Sequence, residues 1–190
     1  MPENHQYRHG LAVMRAQPLH IGHEKVIRDM LAKCGKVTII LGSIQEQGTA
    51  RNPFSYTDQR VYALTERKQM IKNVFDAETE SKRLRVIGLF DINNPTEWGK
   101  FVLDFLKEAF PDLEKPDVYF AGSAYDAQWF KNIFAHFEII DRTDYCFPYV
   151  SGSMVRDMIT IGDRRWKDFV NPCNHAAVEA YINNQDKGMI

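Results

Sequence analysis

The sequence predicts a doubly wound α/β fold, a parallel five-stranded sheet with helices on both faces and a helical C-terminal segment, in one domain over 1–190. Two observations carry this reading. Continuous apolar, β-branched runs such as Val37 to Leu41 read as strands buried on both faces. Segments with apolar residues at three- and four-residue spacing alternate with them, which implies parallel strands joined by right-handed helical crossovers.

The first strand is expected over Leu11 to Met14 and the first helix over Glu24 to Cys34, with Val26, Ile27, Met30, Leu31 and Cys34 facing inward and Gly35 as its stop. Val37 to Leu41 is the second strand. The polar stretch from Gly42 to Ser55 is too long for a plain connector, and such loops beyond strand ends often carry function. Thr57 is the expected N-cap of a second helix that turns Val61, Leu64, Ile71, Val74 and Phe75 inward, and Asp76 to Lys82 reads as charged and exposed. A third strand lies within Arg83 to Phe90. Asp91 to Pro95 forms a turn, and a helix from Thr96 points Phe101, Val102, Phe105, Leu106 and Ala109 at the core. Pro111 and Pro116 bracket a loop before a fourth strand, Val118 to Ala121. Gly122 and Ser123 then lead into a helix near Ala124 to Phe134, and Glu138 to Ile140 is the fifth strand. After an aromatic loop, Thr143 to Tyr149, Ser151-Gly152-Ser153 starts a helix over Met154 to Ile161, and Pro172 to Ile182 closes the chain as another.

With 190 residues, 44% hydrophobic and 26% charged, the composition is that of an ordinary globular protein. A net charge of -1 argues against a general binder of nucleic acid or membrane surfaces, so any positive site must be local. No apolar run approaches a bilayer span, and Met1 to His9 lacks the apolar core of a signal peptide. Cys34, Cys146 and Cys173 show no paired spacing, which fits a reducing compartment and completes no zinc set. The expected location is the cytoplasm.

Chemistry collects just past the strand ends, where ligands of doubly wound sheets sit. The stretch Arg15-Ala16-Gln17-Pro18-Leu19-His20-Ile21-Gly22-His23 joins the first strand to the first helix. A helix start offers N–H groups without partners and the positive end of the helix dipole, so it suits an anion; Gly22 admits a close ligand and Arg15 adds charge. A phosphate site and a structural turn are both compatible with this motif alone. The second strand delivers Gly42 and Ser43, with Arg51 and Asn52 in its loop. The third delivers Asp91, Asn93, Asn94 and Trp98, the fourth Gly122 and Ser123, and the loop after the fifth leads to Ser151, Ser153 and Arg156. Cations and helix starts at both ends of this set suit a polyphosphate, and histidines with an unperturbed pKa of about 6.5 can donate to it. Neither a Walker A loop nor Gly-x-Gly-x-x-Gly is present. Asp91 to Trp98 fits a pocket for a flat polar ring, and equally a helix cap beside a buried tryptophan.

The ordered set resembles the nucleotidylyltransferase superfamily with its His-x-Gly-His signature, and more closely the archaeal-type nicotinamide mononucleotide (NMN) adenylyltransferases. The resemblance rests on Arg15-x-Gln17-Pro18-x-His20-x-Gly22-His23, on Leu41-Gly42-Ser43 followed by Arg51-Asn52-Pro53-Phe54, on Asp91-Ile92 with Trp98, and on Ser151-Gly152-Ser153-x-Val155-Arg156. It implies a Rossmann-like fold and transfer of AMP from ATP to the 5′-phosphate of NMN, giving NAD and pyrophosphate by direct in-line attack without a covalent intermediate. It implies His20, His23, Arg15 and Arg156 as the catalytic set, and Gln17, Gly22, Arg51, Ser151 and Ser153 around ATP. Gly42, Ser43, Asn52, Asp91, Asn94, Trp98 and Gly122 would contact the nucleotides, with Trp98 stacked on the nicotinamide. Magnesium would bind through phosphates with no protein ligand, and a homo-oligomer is expected. Met14, Ala16, Pro95 and Ser123 depart from the family's usual pattern, Pro95 by interrupting the stretch before Trp98. Two other readings stay open: an adenylyltransferase for nicotinic acid mononucleotide or phosphopantetheine, and a nucleotide-binding module without turnover.

Overall fold

The computed structural model describes residues 5–42, 62–90, 92, 94–122, 124–140 and 149–180. In chain order the elements are β1 (Tyr7–Met14), α1 (Ile21–Lys33), β2 (Cys34–Leu41), α2 (Leu64–Val74), α3 (Asp76–Glu80), β3 (Leu84–Gly88), α4 (Pro95–Ala109), β4 (Val118–Ala121), α5 (Ala124–Ala127), β5 (His136–Ile139) and α6 (Gly152–Thr160). Short 3-10 turns follow at Arg164–Asp168 and Pro172–Asn174, and 175–180 is helical. The five strands form one sheet in the order β3-β2-β1-β4-β5, parallel at every pairing.

Strand alternation splits the core in two. Ala12, Val37, Ile39, Leu41, Val118 and Phe120 share one cluster with residues of α1, α2 and α6. Their neighbours Leu11, Ile40, Tyr119 and Ala121 turn to the other face, against Val102 and Leu106 of α4 and Ala127 of α5. The sheet is therefore covered on both faces. Because strand order reverses beside β1, the loops after β1 and β4 diverge and leave a crevice at their carboxyl ends.

Several expected boundaries move. Gly35 is not a helix stop: Cys34 closes α1 with its N–H on the Met30 carbonyl and is already extended, so the chain passes directly into β2. The second helix begins at Leu64 behind Ala63, whose N–H is held by Glu66 at 2.7 Å; Thr57 and Val61 lie outside the described residues. Asp76–Glu80 forms a short helix with no buried residue, and Asp76, Glu80 and Lys82 are exposed as expected. Pro95 opens α4 at a position where a missing N–H costs nothing, so it starts the helix carrying Trp98 rather than interrupting it. Ala109 is exposed at the helix end. The Ala124 to Phe134 segment is one short helix followed by a 3-10 turn at Gln128–Phe130, and Phe130 anchors that turn by stacking on Tyr119.

His9 is fully buried in β1 at the end of the sheet opposite the crevice. Its Nδ1–H donates to the Glu114 carbonyl, and its Nε2 accepts from Thr38 Oγ1 at 2.8 Å, which fixes one neutral tautomer. Burial pushes its pKa below the ordinary histidine value; the nearby Glu114 and Asp117 carboxylates act against that shift and Lys36 acts with it. The unfolded ring titrates near 6.5 and the folded ring lower, so the unfolded state takes up the proton first. His9 should therefore contribute stability above about pH 6.5 that is lost as pH falls toward the folded value. Urea unfolding from pH 7.5 down to 5 should show wild type losing stability faster than His9→Gln. Parallel pH dependences would contradict this.

Candidate active site

The turn after β1 is built tightly. Ala16 is fully buried in the left-handed region at φ 48, a conformation that side chains other than glycine rarely hold without surrounding packing. Leu19 and His20 beyond it are also buried, at 0% and 1% exposure.

His20 is the N-cap of α1, and its Nδ1 accepts the Gly22 N–H at 3.1 Å. His23, one turn on, accepts the His20 N–H through its own Nδ1 at 3.4 Å. The two histidines thus form a reciprocal capping box, with ring centroids 3.8 Å apart. Since each Nδ1 supplies a lone pair to a backbone N–H, the proton of each neutral ring is assigned to Nε2. Gly22 fits this packing closely: a Cβ there would lie 3.0 Å from His20 Cε1 and 3.2 Å from Val150 Cγ1, so one of these side chains would have to shift by a few tenths of an ångström.

This corrects the expectation of bare backbone donors at the first helix. Ile21 N–H bonds to the Phe169 carbonyl at 2.9 Å, Gly22 N–H to the His20 ring, and the His23 and Glu24 N–H groups to the His20 carbonyl at 2.8 and 3.1 Å. What α1 offers an anion is its dipole and the two histidine rings.

The second helix end completes the arrangement. Ser151 caps α6, its Oγ accepting the Met154 N–H at 3.1 Å and its carbonyl the Val155 N–H. Among the described residues the Gly152 and Ser153 N–H groups bond to no acceptor, so here the bare donors are present. Arg156 lies one turn along α6. Its Nη1 donates to the Gln17 carbonyl at 2.8 Å and its Nη2 to Ser153 Oγ at 3.3 Å, tying α6 to the turn after β1. A Cβ on Gly152 would come within 3.1 Å of the Gln17 carbonyl oxygen, so glycine permits the approach. Gln17 is itself buried, while the Arg15 side chain is exposed.

Toward β3, Phe90, Phe101 and Trp98 form an aromatic group, with centroids 5.3 Å apart for Phe90 and Phe101 and 5.8 Å for Trp98 and Phe101. Phe90 is 41% exposed and Trp98 half-buried, so part of this group faces outward. Asn94 is the N-cap of α4, with Oδ1 accepting from Thr96 Oγ1 at 2.8 Å. Gly42 and Gly122 follow β2 and β4 directly. The predicted residues Ser43, Arg51, Asn52 and Asp91, together with Asn93, Ser123 and Cys146, lie outside the described residues.

Sequence reasoning missed Arg67, which is 1% exposed in α2 and bonds through Nη1 to the carbonyls of Arg15 at 2.9 Å and Gly42 at 2.8 Å. The signal was available. Leu64, Arg67, Ile71 and Val74 follow helical spacing, so periodicity alone puts the arginine on the buried face.

Among the described residues no three His, Cys, Asp or Glu side chains gather to hold a metal ion, and no helix is long and apolar enough to cross a membrane. The donors at the crevice are N–H groups and cations, which complement phosphate oxygens.

Among relatives, the nicotinamide-nucleotide adenylyltransferase of Thermococcus kodakarensis is 29% identical over 163 residues, covering 86% of this chain and 78% of that protein. The protein of the same name from Pyrobaculum aerophilum is 25% identical over 173 residues, covering 91% and 88%. Among solved structures, the bifunctional NMN adenylyltransferase/ADP ribose pyrophosphatase of Francisella tularensis, complexed with AMP and a manganese ion, superposes with a TM-score of 0.66 at 16% identity, covering 93% of this chain and 49% of that one. A NadR protein in complex with NAD and AMP-PNP gives a TM-score of 0.59 at 17% identity, covering 88% and 45%. The chain thus spans about half the length of these two structures, whose likeness shows the fold. The Cytidylyltransferase-like family model matches residues 12–158, from β1 through most of α6 and therefore across both helix ends of the crevice, and the chain belongs to that family.

Proposed function

We propose that the chain transfers the adenylyl group of ATP to the 5′-phosphate of NMN, releasing pyrophosphate and forming NAD. The observation that carries this reading is the meeting of two unlike helix ends. On one side stand two histidine rings 3.8 Å apart and tilted by 34°, with the ring protons on Nε2, and on the other bare N–H groups beside Arg156. Such a pair can grip a triphosphate from two directions.

The chemistry asks little more of the protein. A phosphate is already anionic at neutral pH, so attack on the α-phosphorus needs no general base, and catalysis rests on alignment and on stabilising charge as pyrophosphate leaves. His20 and His23 would donate to the phosphate oxygens, and Arg156, anchored on the Gln17 carbonyl, would hold the leaving group. Arg15, Gln17, Gly22, Ser151 and Ser153 complete the ATP side, with Arg51 from outside the described residues. Gly42, Asn94, Trp98 and Gly122 would serve the nucleotide side, and Ser43, Asn52 and Asp91, outside the described residues, are expected to contribute there. Magnesium fits this donor set as a partner of the ATP phosphates, where it neutralises charge. One domain holds both substrates.

The aromatic group at Trp98 favours a nucleotide acceptor over the aliphatic arm of phosphopantetheine. Pyrophosphate release across an acceptor panel tests this. Release with NMN should exceed release with phosphopantetheine by at least about a hundredfold. A higher rate with nicotinic acid mononucleotide would reassign the acceptor, and no release with any acceptor would overturn the reaction.

A further inference from the structure

Two arginines bond main-chain carbonyls at opposite ends of the sheet. Arg83, at the amino ends of β2 and β3, donates to the carbonyls of Leu31 and Cys34, the latter at 3.3 Å, and meets His5 Nε2 at 3.0 Å. Those carbonyls close α1, so the negative end of a helix dipole faces its charge. Arg67 has no such counterpart. Its Nη1 spans the carbonyls of Arg15 and Gly42, its Nε makes no hydrogen bond, and no carboxylate meets it among the described residues. Burial lowers its pKa to about 10, which still leaves it cationic at neutral pH.

A fully buried cation without a paired anion is costly, and an apolar side chain would fill the same helix–sheet contact more cheaply. The position explains the choice. Arg15 and Gly42 directly follow β1 and β2 on the crevice side, and Arg15 leads within five residues to the His20 cap. A charge shielded from water there is screened little by salt and acts on whatever anion occupies the crevice.

We infer that Arg67 is a positioning residue of the polyphosphate site. It fixes the carboxyl ends of β1 and β2 to each other through the Arg15 and Gly42 carbonyls, and its buried charge raises the crevice's affinity for polyphosphate. This rests on the proposed function only in taking the crevice as the phosphate site.

The test is calorimetric binding of inorganic tripolyphosphate to the intact chain. Arg67→Met should bind about tenfold more weakly than wild type, and Arg67→Lys, which keeps the charge, should stay within about threefold. Arg83→Met should lower the thermal midpoint yet leave tripolyphosphate affinity unchanged. A folded Arg67→Met with wild-type affinity overturns the inference, and so does a wild-type chain that does not bind tripolyphosphate. Should Arg67→Met not fold, wild type supplies the reading: tripolyphosphate must shift the Arg67 Nε–H resonance and not that of Arg83, and an unmoved Arg67 signal overturns the inference. If tripolyphosphate binds with the expected ranking but no NAD forms, the acceptor reading fails and the role of Arg67 stands. If NAD forms while Arg67→Met binds like wild type, the reverse holds.

Discussion

Replacing His20 by alanine should lower kcat by about two orders of magnitude, the scale on which removing one preorganised donor acts on a transition state that gathers negative charge. The same change removes the side-chain acceptor for the Gly22 N–H, so stability should fall by about 1 kcal/mol, the usual cost of losing an N-cap. Both losses are expected because one ring does two jobs: Nδ1 closes the helix, and that bond leaves the ring proton on Nε2. His20→Asn separates them. Its side-chain oxygen can cap the helix but places no donor at the Nε2 position, so thermal unfolding should approach wild type while kcat stays low. Recovery of turnover together with stability in His20→Asn would reduce His20 to a cap.

Arg156→Ala should lower kcat/KM for ATP by about 10²- to 10³-fold, with the KM for NMN much less affected. One guanidinium here reaches both the Gln17 carbonyl and Ser153 Oγ, so it joins the α6 end of the crevice to the turn that carries His20. Lysine is a compact point charge and cannot form both bonds in one plane, so Arg156→Lys should recover only part of the loss. Steady-state kinetics with ATP and NMN varied in turn checks the asymmetry. An unchanged ATP dependence in Arg156→Ala would remove this residue from the triphosphate side.

Most of the strands were legible because Val37 to Leu41 is apolar or β-branched throughout, with Thr38 its one hydroxyl, and Val118 to Ala121 is buried at every position, as strands covered on both faces must be. The short helices were harder. Nothing in the periodicity of Ala124 to Phe134 distinguishes a continuous helix from a single turn pinned by Phe130 on Tyr119, since the deciding contact is distant in sequence. Gly35 looked like a stop because helix-ending glycines are common, yet the extended backbone of Cys34 already ends α1. At the site, the placement of His20 and His23 at a strand-to-helix junction followed from their neighbours. Their mutual capping did not, because it depends on ring orientation. Arg67 went unread because an arginine is by default a surface residue, and only its register with Leu64 and Ile71 marks it as buried.

The most direct measurement follows phosphorus. With ATP, magnesium, NMN and the purified chain, ³¹P NMR should show the pyrophosphate bridge of NAD and free pyrophosphate growing in equal amounts as ATP disappears. Loss of ATP to ADP, or to AMP and pyrophosphate without NAD, would contradict adenylyl transfer to NMN.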